Sequence, residues 1–206
     1  MSPIYAILDV GALGERSPAK AAALLADSGI ETIQLRAKAL PDRHLYTLAE
    51  ECRRAVDGSG AALWIDDRPD VAAAVGADGV HLGQRDLPPA EARKVVGPEC
   101  RIGLSTHDDQ QLAAAAADPD VDLVAVGPVF PTASKAAPDP VVGLSFVRRA
   151  RAATAKLLVA IGGIDADNLA EVLAAGADEV AVLSALCRGD LEQNLGRLLA
   201  AARHAA

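Results

Sequence analysis

Asp67 and Asp86 are the residues through which this sequence first shows chemistry. Each follows a short apolar run, Ala61 to Ile65 and Gly79 to Leu82, and a helix-length segment separates the two runs. That is the pattern of a βαβ unit. Its right-handed crossover carries both carboxylates to the same end of one sheet, where such a pair suits a divalent cation. Arg36 and Lys38 follow another apolar run, Thr32 to Leu35, and Lys135 follows Leu123 to Val126. Cations mixed with carboxylates make sense when metal and polyanion bind together. Mg²⁺ typically takes one or two carboxylates plus phosphate oxygens, and Arg gives bidentate phosphate contacts. A diphosphate beside Mg²⁺ is therefore the reading, and a surface ion-pair network, worth little energetically, is its alternative.

A second anion site is legible further along. IGGI at Ile161 to Ile164 runs into Asp165 to Asn168, which open a helix, and VLSAL at Val182 to Leu186 follows the last strand. Glycine lets backbone N–H groups approach an anion closely, and a helix N-terminus adds a favourable dipole. With Ser184 beside it, the Gly162–Gly163 turn suits a phosphate monoester; the alternative is a tight turn and nothing more. Gln34, Arg36 and Lys38 alternate in QLRAK, so an extended strand aims all three the same way. Ser105, Thr106 and His107 follow the fifth strand. His81 and His107 receive no catalytic role, because nothing in the sequence pairs either with a carboxylate.

The elements that must position these residues recur regularly. Strands are predicted at Ile4 to Leu8, Thr32 to Leu35, Ala61 to Ile65, Gly79 to Leu82, Arg101 to Leu104, Leu123 to Val126, Leu157 to Ile161 and Glu179 to Leu183, each followed by a helical pattern. SGIETIQL, GADGVHL, PDVDLVAV and GADEVAV repeat a helix-ending turn, an acidic residue and a strand at every second unit. Twofold periodicity over eight units is expected of a closed barrel, where alternate strands fill alternate interior layers. The expectation is an α/β fold, one (β/α)8 TIM barrel over residues 1–206, with functional residues at the strand C-termini. The net charge of −8 and the scarcity of aromatic residues disfavour nucleic-acid binding. No apolar run approaches the roughly 20 residues of a membrane span, and no export signal opens the chain. A cytoplasmic location follows by default. Cys52, Cys100 and Cys187 lack metal-like spacing and are expected to be reduced, buried thiols.

QLRAK, DDRPDVAAAVGADGVHLGQRDLP, GLSTH, GPVFPTASK, VAIGGIDADN and VLSAL, in this order and over most of the chain, resemble the thiamine-phosphate synthase family, which joins the pyrimidine and thiazole halves of thiamine. The resemblance implies that Asp67 and Asp86 bind Mg²⁺. It places Gln34, Arg36, Lys38, Asp66, Ser105 and Lys135 around hydroxymethylpyrimidine diphosphate, and Thr132, Ser134, Gly163, Leu183 and Ser184 around thiazole phosphate. Among these, Arg36, Lys38 and Lys135 would neutralise charge on departing pyrophosphate and Ser105 would orient the reactants. The family's C–O cleavage runs ahead of bond formation, leaving a pyrimidine-methyl cation that the thiazole nitrogen captures, so no protein nucleophile is needed. Two departures stand out. Asp66-Asp67-Arg68 replaces the usual Asn-Asp-Arg, which weakens substrate binding or recruits the metal, and Ser134 replaces a usual Thr. Pro128 stands where the sister family of thiazole tautomerases has His, which makes an isomerase the weaker alternative; a barrel that binds thiamine phosphates without turnover is the other. The implied partners are the two small-molecule substrates. The sequence leaves the oligomeric state open, a homo-oligomer included.

Overall fold

Alternation along each apolar run decides the architecture, because one face must meet helices and the other must fill a lumen. The computed structural model describes residues 2–132 and 139–205. Its parallel strands pair in chain order and close on themselves: β1 (Ile4–Asp9), β2 (Thr32–Arg36), β3 (Ala62–Asp66), β4 (Gly79–Leu82), β5 (Arg101–Thr106), β6 (Leu123–Val126), β7 (Leu157–Ile161) and β8 (Glu179–Val182). The described helices are α1 (Val10–Leu13), α2 (Pro18–Asp27), α3 (Asp42–Val56), α4 (Pro69–Val75), α5 (Pro89–Val96), α6 (Asp109–Ala117), α7 (Gly143–Ala153), α8 (Leu169–Ala174), α9 (Ser184–Cys187) and α10 (Leu191–Ala205). This is the (β/α)8 barrel that the sequence predicts. Two differences matter for the site. The four-residue helices α1 and α9 are too short to leave an apolar period in sequence. And β5 continues through Ser105 and Thr106, because these pair with Ala125 and Val126 and the Thr106 hydroxyl donates to the Ala125 carbonyl at 3.0 Å.

Outward residues such as Ile4, Ala6, Leu8, Ile33, Leu35, Leu63 and Ile65 form the core beneath the helices. Inward residues Tyr5, Ile7, Trp64, Leu123, Ala125, Val159 and Ala181 fill the lumen. Trp64, the chain's one tryptophan, is 1% exposed there. Neighbouring glycines make the room: a Cβ on Gly79 would lie 2.4 Å from the Trp64 ring, and one on Gly103 would lie 2.6 Å from His81 Nδ1. Removing an indole of roughly 200 Å² from water stabilises by up to about 5 kcal/mol.

The sequence repeat acquires a physical cause at the opposite, N-terminal end of the barrel. Asp78, Asp122 and Asp178 stand just before β4, β6 and β8. Each carboxylate accepts the backbone N–H of a residue in the preceding strand, Leu63, Ile102 and Leu158 respectively, at 2.8 Å. Each also pairs with an arginine from the helix before that strand: Arg53 at 2.7 Å, Arg93 at 2.8 Å and Arg151 at 2.7 Å. The acidic residue of the repeat thus fastens helix, strand and next strand together, far from the mouth. Cys52, Cys100 and Cys187 are buried free thiols. Among the described residues no helix is long and apolar enough to cross a membrane.

Candidate active site at the strand C-termini

At the mouth, side chains from β1 to β4 form a chain of alternating charge. Asp9 ends β1, where one carboxylate oxygen caps α1 by accepting from the Ala12 N–H at 2.8 Å and the other pairs with Arg36. Arg36 ends β2 and also reaches Asp66 at 3.5 Å. Lys38, just beyond β2, pairs with Asp66 at 3.2 Å and with Asp67. Burial and the neighbouring Asp67 charge outweigh Lys38 and Arg36, and push the Asp66 carboxyl up to about 6. Burial works against the Lys38 ammonium, but Asp66 and Asp67 more than offset it and hold its pKa above the ordinary value.

Asp67 takes a left-handed backbone conformation, φ 62°, while its N–H donates to the His81 carbonyl at 2.8 Å. A non-glycine residue there is uncommon, and such strain persists where surroundings enforce it. The turn brings the Asp67 carboxylate close enough to that of Asp86 for the two to interact. Asp86 is held in place by the Gly83 N–H, which donates to its Oδ2 at 2.7 Å. Its pKa is raised by burial, opposed by the Gly83 hydrogen bond, and raised further by Asp67. The structure therefore brings Asp67 and Asp86 together, with Arg36, Lys38 and Asp66 beside them. Among the described residues no cluster of three His, Cys, Asp or Glu side chains is built for a metal; the arrangement is a carboxylate pair.

Deeper in the lumen, Ser105 Oγ lies 2.9 Å from His81 Nε2, and the Gln84 amide donates to the Ser105 carbonyl at 2.6 Å. Gln34 is 2% exposed and donates to the Tyr5 hydroxyl at 3.2 Å. Gln34 and Arg36 thus share the lumen face of β2, with Gln34 one layer lower, on a floor where Tyr5 packs against Trp64 and His81.

The second site lies across the mouth. The segment after β6 runs beside the end of β7, with the Val129 N–H donating to the Ile161 carbonyl and the Phe130 N–H to the Gly162 carbonyl, both at 2.9 Å. That approach demands Gly163: its φ is 68°, and a Cβ would meet the Pro131 carbonyl oxygen at 2.6 Å. Asn168 ties the turn by donating to the Gly163 carbonyl and accepting the Asp165 N–H, both at 2.9 Å. A cavity of about 460 Å³ opens here, lined by Thr132, Gly163 and Ser184 and, on its outer wall, by Arg188, Asn194 and Arg197. Leu183 stands at the N-cap position of α9 and packs on the lumen cluster. Ser134 and Lys135 lie outside the described residues.

Sequence reasoning missed Asp9, Arg188, Asn194 and Arg197. For Asp9 a signal exists, a carboxylate closing a barrel strand, but the apolar run itself stops at Leu8. The other three belong to the cavity only because α10 folds back over α9, which no local pattern announces.

Comparison with known proteins identifies the family. The family model described as thiamine monophosphate synthase matches residues 4–186. The chain is 45% identical over 183 residues to a thiamine-phosphate synthase of Methanoculleus marisnigri, covering 89% of this chain and 86% of the relative. It is 45% identical over 188 residues to a thiamine-phosphate synthase of Koribacter versatilis, with 89% and 88% covered. Among solved structures, a thiamine phosphate pyrophosphorylase from Pyrococcus furiosus superposes with a TM-score of 0.87 at 30% identity, over 98% of this chain and 96% of that one.

Proposed function

The chain belongs to the thiamine monophosphate synthase family, a family of transferases, and we propose that it condenses hydroxymethylpyrimidine diphosphate with thiazole phosphate in a Mg²⁺-dependent reaction giving thiamine phosphate and pyrophosphate. One observation carries the reading: carboxylates and cations from β1 to β4 meet on one side of the mouth, and a separate cavity opens beside β7 and β8 on the other. Two anionic substrates need two such places.

The donor set fits Mg²⁺. Asp67 and Asp86 place hard oxygen ligands beside each other, a like-charge arrangement that a divalent cation would relieve, and the two carboxylates would hold it. When bound there, Mg²⁺ supplies charge neutralisation for the leaving diphosphate. Arg36 and Lys38 contribute fixed positive charge to the same oxygens, with Lys135 assigned alongside them from the sequence motif. Asp9 holds Arg36 at the end of β2, so the guanidinium is already oriented when the diphosphate arrives. Ser105, tied to His81, and Gln34, tied to Tyr5, sit beneath and orient the pyrimidine. The C–O bond to diphosphate breaks and a C–N bond to the thiazole nitrogen forms. No step uses a nucleophilic side chain, so positioning carries the remaining acceleration. Thr132, Ser134, Gly163, Leu183 and Ser184 hold the thiazole phosphate.

Purified protein given both substrates and Mg²⁺ should release pyrophosphate and thiamine phosphate in equal amounts, and Asp67→Ala should abolish the Mg²⁺-dependent rate. Tautomer exchange without pyrophosphate would favour an isomerase instead, and tight binding without either product a non-catalytic barrel.

A further inference from the structure

We infer that Arg188 and Arg197 bind the phosphate of the second substrate and supply the positive charge of the cavity beside β7 and β8. The inference rests on the proposed function for the identity of that substrate. A phosphate monoester carries about −1.5 to −2 charge at pH 7. The motif residues around the cavity, Thr132, Gly163, Leu183 and Ser184, are all neutral. The adjoining helices α8 and α9 span six and four residues, so few peptide dipoles align behind their N-termini. Neutral donors and short helices leave most of that charge unanswered. Among the described residues, Arg188 and Arg197 are the basic side chains lining the same cavity as Gly163 and Ser184.

Their placement is built rather than incidental. Asn194 Nδ2 donates to the Leu186 and Arg188 carbonyls, at 3.1 and 2.6 Å, and so fixes the end of α9 where Arg188 emerges. Arg197 follows Asn194 by three residues on α10 and faces the same side. Its nearest carboxylate is Asp167, 3.9 Å away, with the Arg197 side chain 64% and the Asp167 side chain 85% exposed. A pair that long and that wet holds a guanidinium weakly, whereas phosphate offers it two parallel hydrogen bonds. Asp165 also lines the cavity, but its Oδ1 already accepts the Asp167 N–H at 2.9 Å. Two guanidinium groups against Asp165 give the cavity lining a net positive charge, and Asp167, outside the lining, offsets Arg197 only through that long and exposed pair.

The test is a kinetic and binding comparison of Arg188→Gln, Arg197→Gln, the double variant and the two Arg→Lys variants. Each Gln variant should raise KM for thiazole phosphate about five- to tenfold, the effect of a charge-assisted hydrogen bond weakened by exposure. The double variant should raise it more, the Lys variants less, with kcat within about twofold and KM for the pyrimidine diphosphate unchanged. With the unphosphorylated thiazole alcohol as acceptor, variants and native protein should react alike, a result that a merely structural role would not produce. Calorimetric titration with inorganic phosphate needs no turnover and should show the same weakening. If native protein makes thiamine phosphate while the variants keep its KM, or lose the alcohol reaction equally, this inference falls and the function stands. If native protein makes no thiamine phosphate, the function falls, and the phosphate titration still decides whether the two arginines bind the anion.

Discussion

A single methyl group at Gly103 should uncouple the barrel interior from the site above it. Gly103 faces the lumen between Trp64 and His81, and a Cβ there would lie 2.6 Å from His81 Nδ1 and 3.3 Å from both Leu123 and Trp64. The first distance is about 1 Å inside ordinary contact, so the imidazole must move. Tyr5 and Trp64 crowd the same layer, and the movement comes at the far nitrogen, which now holds Ser105 at 2.9 Å. Overpacking of this kind costs about 1–3 kcal/mol, which for a chain of this length lowers Tm by roughly 2–12 °C. Loss of the His81–Ser105 bond, worth about 0.5–1.5 kcal/mol, should cut kcat/KM roughly two- to tenfold. Gly79→Ala is the matched control. The three atoms nearest its methyl would all belong to the Trp64 ring, at 2.4 to 2.6 Å, so its stability should fall at least as far while kcat/KM falls less. Thermal melting and steady-state kinetics well below both transitions separate the two effects. Native kcat/KM in Gly103→Ala, or an equal kinetic loss in Gly79→Ala, would refute the idea that His81 transmits lumen packing to Ser105.

Two further outcomes follow from the charged groups. Asp66→Asn removes the carboxylate shared by Arg36 and Lys38 while leaving Asp9 on the first and Asp67 on the second; KM for the pyrimidine diphosphate should fall about two- to fivefold, the worth of one or two partly exposed ion pairs, and initial-rate kinetics showing a rise or a large loss of turnover would mean that the extra carboxylate serves the reaction. Glu179, at the start of β8, is raised above its ordinary 4.5 by burial, opposed by its hydrogen bond from Thr32 and by Arg101, and raised further by Glu31 and Asp178. The folded chain therefore holds its proton to higher pH than the unfolded chain does, so the destabilisation is absent below 4.5 and grows as pH rises through the folded value. Glu179→Gln should gain Tm over the native protein at pH 8 but not at pH 4, and a Tm difference that ignores pH would contradict the sign.

How much of this was legible in the sequence depends on how far each feature reaches. The barrel was legible because short apolar runs of strand length recur with a helix-length pattern between each. The Asp67–Asp86 contact was legible because crossover handedness fixes where neighbouring parallel strands end. The left-handed turn that aims Asp67 at Asp86 was not, because φ 62° at an aspartate is enforced by the His81 carbonyl of the next strand rather than by its own type. The acidic repeat was visible as a period, yet its work is to clamp the barrel floor through Arg53, Arg93 and Arg151, partners that lie in helices outside the repeat. Ser105 was expected in a loop and stands in a strand, since nothing in Ser-Thr-His announces pairing with Ala125 and Val126.

The charge balance at the mouth is the property that no single motif carries. Asp9, Arg36, Asp66, Lys38 and Asp67 alternate around it and Asp86 adjoins Asp67, with each cation already shared between two carboxylates. Among the described residues, four carboxylates against two cations leave this part of the mouth negative, an excess that Lys135 of the sequence motif would reduce. Arg36 and Lys38 attract a diphosphate only weakly by themselves, because the carboxylates paired with them offset part of their field. Burial first, and the neighbouring Asp67 charge after it, hold the Asp66 and Asp86 carboxyls above their ordinary range. A site of this composition gains affinity for a polyanion only as further positive charge enters with it, so metal and diphosphate should bind with positive cooperativity, each raising the affinity for the other by the same factor. On the proposed function, the carboxylates that repel the substrate alone are the ones that would make its metal complex the preferred ligand.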